Sequence, residues 1–254
     1  MIEVKDIHKS FSEHHILKGI STTFHKGQTS MIIGSSGSGK TVFLKCLLGL
    51  FIPDQGNIIY DGRIYSELSV KEKRKLRQEI GMVFQGGALF DSETIENNIK
   101  FPLKMFTDQT DDEMRDRVNF VLKRVKLENV NDKFPAELSG GMQKRVSIAR
   151  AIVMNPKYLF CDEPNSGLDP QTAIVIDNLI KEITDEYQMT TIINSHDMNS
   201  VMEIGEKIIF LKAGIKEWEG SYKTIFKTDN QAVTDFVYSS NLYKKVRETY
   251  NKES

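Results

Sequence analysis

A glycine-rich stretch that ends in lysine and threonine is the part of the sequence best suited to bind phosphate. Its eight residues are Gly34, Ser35, Ser36, Gly37, Ser38, Gly39, Lys40 and Thr41. They fit the pattern G-x-x-x-x-G-K-[ST], in which glycines let the backbone wrap around phosphate oxygens and turn its N–H groups inward. Lys40 supplies a point charge for the outer phosphates, and Thr41 supplies a hydroxyl for Mg²⁺.

Two adjacent carboxylates, Asp162 and Glu163, follow a short apolar run at 158–161. Such a pair can divide the chemical work. Asp162 can hold Mg²⁺ through water, while Glu163 orients and deprotonates a water molecule that faces the outermost phosphate. A strand that ends in two acidic residues is common and indicates no function by itself. The phosphate-binding stretch earlier in the chain strengthens the assignment of these two residues to phosphate chemistry.

Short apolar runs alternate with amphipathic ones along the chain, which indicates strands alternating with helices. Strands are predicted at 2–7, 16–24, 28–33, 80–84, 158–161, 190–194 and 208–211. Helices are predicted at 42–50, 110–128, 142–154 and 174–183. The phosphate-binding stretch then lies between a strand and a helix. The N-terminal end of that helix adds positive electrostatic potential. The alternation predicts an α/β fold whose mainly parallel sheet is buried on both faces.

The helix-rich middle of the chain, at about 91–155, interrupts that alternation and predicts an inserted helical lobe. Five apolar residues there follow one helical stripe, namely Met114, Val118, Val121, Leu122 and Val125. The segment 228–254 is charged but keeps apolar residues at roughly helical spacing, namely Val233, Phe236, Val237 and Leu242. This last segment is either a docked helix or an arm that binds a partner.

Composition limits the classes of protein to consider. Of 254 residues, 39% are hydrophobic and 27% are charged, which indicates a globular chain. The net charge of -1 disfavours non-specific nucleic-acid binding, which needs a basic face. The basic run at 71–77 is interpreted as a solvated helix face, with a local basic patch as the alternative. No stretch approaches the ~18 apolar residues of a membrane span, and 1–11 lacks the apolar core of a signal peptide, so a cytoplasmic location is expected.

The segment 138–143, which spells LSGGMQ, resembles the LSGGQ signature of ABC ATPases. Other motifs of that family occur in the family's order. Gln85 follows a predicted strand like the Q-loop glutamine, and residues 166–169 (SGLD) match the D-loop. His196 matches the switch histidine that follows the last core strand, and Phe11 stands where an aromatic ring stacks on adenine.

The resemblance implies a P-loop (RecA-like) ABC ATPase core at about 1–90 and 156–227, with a small antiparallel β lobe. The helical lobe at about 91–155 completes a domain at 1–227, and 228–254 forms a helical extension. ATP and Mg²⁺ are the implied ligands. Catalytic roles fall to Glu163, His196 and Gln85, and metal contacts to Thr41, Gln85 and Asp162. Nucleotide contacts are expected from Phe11, Gly34, Ser35, Ser36, Gly37, Ser38, Gly39, Lys40, Thr41, Gln85, Asp162, Ser139, Gly140, Gly141 and Asp169.

Two ATPase subunits pack head to tail in this family, so residues 139–141 of each are expected to cover the ATP of the other. The Ser139 hydroxyl, glycine N–H groups and a helix N-terminus then face the outermost phosphate. ATP would join the dimer and hydrolysis would release it, which lets ATP shift a conformational equilibrium. Asn165 departs from the family, which often has Thr there, and is expected to tune communication between the two subunits.

Four less general segments resemble one branch of the family. Residues 86–91 (GGALFD), 101–103 (FPL), 134–137 (FPAE) and 142–146 (MQKRV) look like the ATPases of MCE-type lipid transporters, the MlaF-like or Mkl-like group. The resemblance implies phospholipid transport between inner and outer membranes, powered from the cytoplasmic face of the inner membrane. Expected partners are a second ATPase subunit, two MlaE-like permease subunits, an MCE-domain (MlaD-like) protein and, in some members, a STAS-domain protein, with no nucleic acid.

Other functions remain open at this point. One is an ATPase for a small polar solute, such as an amino acid importer, in which residues 86–90 usually differ. Another is an ABC ATPase that acts on the ribosome or on DNA. Those proteins carry two ATPase domains in one chain or a long coiled-coil insertion, and this sequence shows neither. A non-enzymatic interaction protein would be expected to have lost Lys40, Glu163 or His196, all of which are present.

Overall fold

The structure is a computed structural model that describes residues 1–238, in which ten strands and eight α-helices follow one another. The strands are β1 (Ile2–Phe11), β2 (His14–Phe24), β3 (Gln28–Ile33), β4 (Gln55–Tyr60), β5 (Arg63–Ile64), β6 (Ile80–Val83), β7 (Tyr158–Asp162), β8 (Thr190–Asn194), β9 (Lys207–Lys212) and β10 (Ile215–Gly220). The helices are α1 (Lys40–Leu47), α2 (Val70–Gln78), α3 (Ile95–Phe106), α4 (Asp111–Arg124), α5 (Gly140–Ile152), α6 (Pro170–Tyr187), α7 (Met198–Ile204) and α8 (Gln231–Val237).

A six-stranded sheet in the order β10-β9-β3-β8-β7-β6 forms the centre of the molecule. Its strands are parallel except for β10, which pairs antiparallel with β9. Met31, Ile32 and Ile33 of β3 are fully buried, as a strand covered by helices on both faces requires. The predicted α/β sheet is therefore confirmed. The carboxyl ends of β3, β6, β7 and β8 meet at one edge, which is where open α/β sheets bind ligands.

A smaller antiparallel sheet in the order β2-β1-β4-β5 forms the expected β lobe. Ile2 and Val4 alternate toward its buried face, and Ile7 returns to that face after a register shift between Val4 and Ile7. They share one hydrophobic cluster with Phe43 and Leu47 of α1. The β lobe is thus packed directly against the helix that follows the phosphate-binding stretch.

The inserted lobe consists of α3, α4 and α5 around a shared apolar core. All five residues of the predicted stripe are buried, namely Met114, Val118, Val121, Leu122 and Val125. Helix α4 begins at a capping box, in which the Thr110 side chain accepts a hydrogen bond from Glu113 N and the Glu113 side chain accepts one from Thr110 N. The predicted helical lobe is present, with α4 ending at Arg124 and not at residue 128.

Helix α6 differs from its predicted start for a local reason. Helix α6 begins at Pro170 and not at 174, because the Asp169 side chain accepts a hydrogen bond from Thr172 N at 3.0 Å and proline suits the first helical position. The basic run at 71–77 lies in α2, where Leu76 is the buried residue. The interpretation of that run as a solvated helix face is confirmed.

The described part of the C-terminal segment is a docked helix. Val233 and Val237 of α8 are buried, and the ring of Phe236 lies 5.2 Å from that of Phe210. Leu242 lies outside the described residues, as does the remainder of 239–254. The division of the chain at residue 227 stays a prediction. None of the helices in residues 1–238 combines the length and hydropathy that a bilayer-spanning helix needs.

Candidate active site

The P-loop (residues 34–41) connects β3 to α1 through backbone angles that favour glycine. Gly34 has φ +150°, and a Cβ there would lie 2.2 Å from Leu211 O. Gly39 has φ +102°, and a Cβ there would lie 3.0 Å from Leu17 Cδ2. Glycine adopts such conformations without a steric penalty. The two glycines therefore let the loop turn closely over the N-terminal end of α1, where helix N–H groups favour an anion.

The Lys40 ammonium lies inside the P-loop and is almost fully buried. Its Nζ donates to Gly34 O at 2.8 Å and to Ser35 O at 3.1 Å. Burial lowers the pKa of Lys40 from its ordinary value, while the charges of Glu163 and Asp162 partly offset that effect. A positive charge is thus fixed where the loop would receive outer phosphates.

A cleft of about 660 Å³ opens in front of the P-loop. Its lining residues are Ile16, Ser36, Gly37, Ser38, Gly39, Lys40, Thr41, Val42, Gln85, Glu163 and His196. Ile16 and Val42 give it an apolar wall, and sequence reasoning missed both because neither belongs to a motif. Phe11 is outside this lining: its ring is 40% exposed and packs edge-on against Phe51. The stacking role of Phe11 stays a prediction.

Glu163 is held on both carboxylate oxygens by residues from neighbouring strand ends. Gln85 Nε2 donates to Glu163 Oε2 at 2.9 Å, and His196 Nδ1 lies 2.9 Å from Glu163 Oε1. The backbone of Glu163 is left-handed, with φ +47°, a conformation that costs a non-glycine residue about 1–3 kcal/mol. The N–H of Glu163 donates to Asn194 O at 3.0 Å and thereby stabilises the turn. This strained turn aims the carboxylate into the cleft.

Asp162 ends β7, and a residue of the adjacent strand β8 holds its side chain. Asn194 Nδ2 donates to Asp162 Oδ1 at 3.1 Å, and Asn194 is fully buried. The Asn194 Oδ1 is also buried and has no hydrogen-bond partner within the described residues. Sequence reasoning missed this contact. The available signal was a polar amide at the end of the apolar strand at 190–194.

The oxygen donors near the P-loop suit a magnesium ion bound together with phosphate. Thr41 and Gln85 line the cleft, and Asp162 directly precedes Glu163. Among residues 1–238, no group of three His, Cys, Asp or Glu side chains forms a closed metal site. Mg²⁺ needs no such group here, because it keeps several waters and takes one or two carboxylates plus substrate phosphates. The residues present therefore fit a Mg²⁺–phosphate complex.

The signature segment (138–143) lies away from this cleft. Ser139 caps α5 by accepting a hydrogen bond from Met142 N at 3.3 Å, and both Ser139 and Gly140 are exposed. A Cβ on Gly141 would lie 2.6 Å from Thr172 Cγ2, so α5 and α6 approach closely there. Eight of the predicted site residues are absent from the lining of the cleft of their own chain. Gly34, Ser35 and Asp162 lie within two residues of a lining residue, whereas Phe11, Ser139, Gly140, Gly141 and Asp169 do not.

Helix α5 also holds the segment that follows Gln85, a connection that sequence reasoning missed. Lys144 Nζ donates to Gln85 O, and burial lowers the pKa of Lys144. Ser147 Oγ donates to Gly87 O at 3.2 Å, and the Arg150 guanidinium donates to the same carbonyl at 2.7 Å. The helix that begins at the signature segment therefore fixes the position of Gln85.

Comparison with known sequences gives one family. Residues 17–166 match the family model described as ABC transporter. The probable ribonucleotide transport ATP-binding protein mkl of Mycobacterium tuberculosis is 38% identical over 236 residues, which cover 93% of this chain and 66% of that protein. The methionine import ATP-binding protein MetN 2 of Bacillus anthracis is 39% identical over 226 residues, covering 89% of this chain and 66% of that protein. The chain thus spans slightly less than two thirds of these relatives.

Comparison with solved structures gives the same fold. The dimeric structure of a bacterial ABC transporter cassette matches with a TM-score of 0.80 and 33% identity, covering 87% of this chain and 99% of that one. The same cassette in a post-hydrolysis state, bound to ADP and Pi, matches with a TM-score of 0.79. The structure of cbiO1 from Clostridium perfringens, part of the ABC transporter complex cbiONQ, matches with a TM-score of 0.82 and 33% identity, covering 90% of this chain.

The family model covers more than half of the chain, and the P-loop, the paired carboxylates and the signature segment fall inside the matched fold. The expected fold is thereby confirmed, and the expected ligands, ATP with Mg²⁺, agree with the ADP and Pi bound in the related cassette. The chain belongs to the ABC transporter family and has the fold of its ATP-binding cassettes.

Proposed function

We propose that Glu163 is the base that orients and activates the attacking water during ATP hydrolysis. The observation that carries this proposal is the pair of contacts to its carboxylate, with Gln85 and His196 each 2.9 Å from a different oxygen. A carboxylate held on both oxygens stays aimed into the cleft, and a fixed base lowers the entropic cost of reaching the reactive geometry. His196 and Gln85 also line the cleft, and we assign them contacts with the outermost phosphate of ATP.

The remaining site residues are assigned by their position around the P-loop. Lys40 and the backbone N–H groups of residues 34–41 hold the phosphates, with Ser36 and Ser38 at the cleft surface. Bound Mg²⁺ neutralises charge on the outer phosphates, through oxygen ligands that we assign to Thr41, Gln85 and Asp162. The hydrogen bond from Asn194 would hold the Asp162 carboxylate in place as one of those ligands.

We further propose that a second copy of this chain completes the site. Ser139 and Gly140 are exposed and lie outside the cleft of their own chain, so they are accessible to another one. The N-terminal end of α5 and the Ser139 hydroxyl would then donate hydrogen bonds to the ATP phosphates that are bound in the cleft of the second copy. Asp169, which caps α6 at the D-loop (166–169), would lie at the same interface.

The substitution Glu163→Gln tests the assigned base. We expect the variant to bind ATP, to lose turnover by roughly 10²-fold or more, and to accumulate a dimer on size exclusion with ATP. Glu186→Gln is the matched control, because Glu186 is an exposed carboxylate paired with Arg124 away from the cleft. Turnover of Glu163→Gln equal to that of the control would remove Glu163 from the role of base.

An apolar groove of about 390 Å³ beside Gln85 supports docking of a permease subunit. It lies between α2 and β6 on one side and α3 on the other, and Phe84, Phe90 and Phe101 expose their rings there. The segments at 86–91 and 101–103, which resemble the MCE-type ATPases, both contribute to its lining. We propose that a short helix of the permease packs into this groove, from which α5 connects to Gln85.

We propose phospholipid as the transported substrate, in a complex on the cytoplasmic face of the inner membrane. The proposed partners are two MlaE-like permeases, an MlaD-like MCE protein and, in some assemblies, a STAS-domain protein. Support comes from the groove segments at 86–91 and 101–103, which resemble the MCE-type, Mkl-like ATPases. The Mkl relatives themselves are named for ribonucleotide transport. The methionine importer relatives favour a second candidate, the ATPase of a small polar solute importer. The fold alone does not choose between these cargoes.

Affinity purification from detergent-solubilised native membranes tests the substrate class. Recovery of a polytopic permease, an MCE-domain protein and phospholipid, identified by mass spectrometry, is the expected result. Recovery of a permease with a soluble solute-binding protein and no MCE component would keep the ATPase and replace the lipid by a small polar solute.

A further inference from the structure

A buried polar cluster connects the two loops that carry Glu163 and His196. Asn165, Asp177 and Ser200 expose only 8%, 3% and 2% of their surface. Asn165 precedes the D-loop, Asp177 lies in the middle of α6, and Ser200 lies in the first turn of α7. Lys181, one turn further along α6, pairs with other carboxylates. Within residues 1–238, Asp177 forms no salt bridge, and a carboxylate buried without a cation is energetically costly.

The three side chains form a closed triangle of hydrogen bonds. Asn165 Nδ2 donates to Ser200 Oγ at 2.7 Å and lies 3.3 and 3.4 Å from the two oxygens of Asp177. Ser200 also forms a hydrogen bond with Asp177. The two amide hydrogens of Asn165 are needed for the two acceptors. A threonine at this position, with its single O–H donor, could not serve both.

We propose that Asn165, Asp177 and Ser200 form a polar brace that fixes Glu163 relative to His196, and that they are positioning residues for ATP hydrolysis. The inference rests on the roles proposed above for Glu163 and His196. It goes beyond them because none of the three residues lines the cleft.

The connection from the polar brace to each catalytic side chain is short. Glu163 stands two residues before Asn165, in a turn closed by a backbone hydrogen bond of 3.1 Å. His196 stands four residues before Ser200, and α7 begins between them at its capping residue, Asp197. The direct contact between Glu163 and His196 cannot hold the loops by itself, because the histidine side chain is 63% exposed and water competes for it.

Loss of the polar brace would therefore separate the base from the histidine without touching the nucleotide. A misplacement of about 1 Å can cost roughly 10²-fold in rate. The Michaelis constant for ATP should stay close to that of the wild type, because the P-loop is intact. This split between kcat and KM distinguishes a positioning role from general destabilisation.

The test compares Asn165→Ala, Ser200→Ala and the double variant in the full chain, by ATPase kinetics and melting temperature. Thr184→Val is the matched control. Thr184 also lies in α6 and is fully buried, and its hydroxyl bonds to Ile180 O and to Thr191 Oγ1 at 2.7 Å, away from both loops. The substitution Thr184→Val removes a buried hydrogen bond from the same helix without breaking the polar brace.

We expect each single variant to lower kcat about tenfold or more, with KM for ATP changed less than about twofold. The double variant should be no slower than the slower single variant, because both substitutions break one unit. Thr184→Val should keep the kcat of the wild type, although its melting temperature falls about as much as that of the brace variants. A brace variant whose kcat equals that of Thr184→Val at equal melting temperature would overturn the inference.

Two further comparisons keep the outcomes separable. If Asn165→Ala does not fold, the comparison of kcat between Ser200→Ala and Thr184→Val tests the polar brace. Ser200→Ala removes a single oxygen atom and is therefore the milder substitution. If Glu163→Gln and His196→Ala both retain turnover, the proposed function fails and the polar brace fails with it. If those two lose turnover while the brace variants keep it, only the polar brace is refuted.

Discussion

The buried carboxylate of Asp177 gives a prediction about stability whose sign and pH window can be worked out. Burial raises the pKa of Asp177 from 3.8 to about 6, with Asp197 and Glu203 adding to that effect and the bonds from Ser200 and Asn165 opposing it. Each pKa unit corresponds to about 1.4 kcal/mol, so the ionised group destabilises the folded state by about 3 kcal/mol.

The sign follows from proton linkage. The folded state holds the Asp177 proton more tightly than the unfolded state. Protonation of Asp177 therefore contributes fully to the free energy of unfolding below pH 3.8, and that contribution is lost as the pH rises through about 6. Asp177→Asn removes the charge at every pH. Relative to the wild type, the variant should gain stability between about pH 4 and about pH 7, with about 3 kcal/mol as the upper limit.

The assay is urea unfolding of the full chain, followed by circular dichroism, at several pH values across that window. Asp185→Asn is the matched control, because Asp185 lies on the same helix and pairs with Lys181 at 2.7 Å near the surface. A difference between Asp177→Asn and the wild type that does not grow with pH, or that equals the difference seen for Asp185→Asn, would refute the reasoning. Together with a lowered kcat, a gain in stability would show that the charge is kept for function and not for folding.

Two further predictions concern the ligands of the cleft. Lys40→Ala should weaken ATP binding itself, because it removes the buried charge inside the P-loop, and titration with a fluorescent nucleotide measures the loss. Binding equal to the wild type would contradict the assigned role of Lys40. Asn194→Leu should raise the Mg²⁺ concentration needed for half-maximal ATPase, because Asp162 loses the amide that orients it. An unchanged Mg²⁺ dependence, at unchanged KM for ATP, would show that Asn194 only fills space.

Residues close together in the chain were recognisable before the fold was known. The P-loop pattern consists of eight consecutive residues, so it is complete in the sequence. The amphipathic stripe of α4 and the buried strand β3 follow from periodicity in the same way, because each element buries its own face. The ends of helices were less predictable: α6 begins earlier than predicted, behind its Asp169 cap, and α4 ends earlier than predicted, at Arg124.

Contacts between distant elements depended on tertiary structure. Asn194 reaches Asp162 because β8 and β7 are neighbours in register, and Lys144 reaches the Gln85 carbonyl because α5 crosses behind the Q-loop. The polar brace joins Asn165, in the loop before α6, to residues 12 and 35 positions further along the chain, on α6 and α7. No local pattern predicts such contacts, because a buried polar side chain finds its partner through strand order and helix packing. The chemistry of the site could therefore be inferred from single motifs. The relative positions of its side chains are decided by the packing that brings those motifs together.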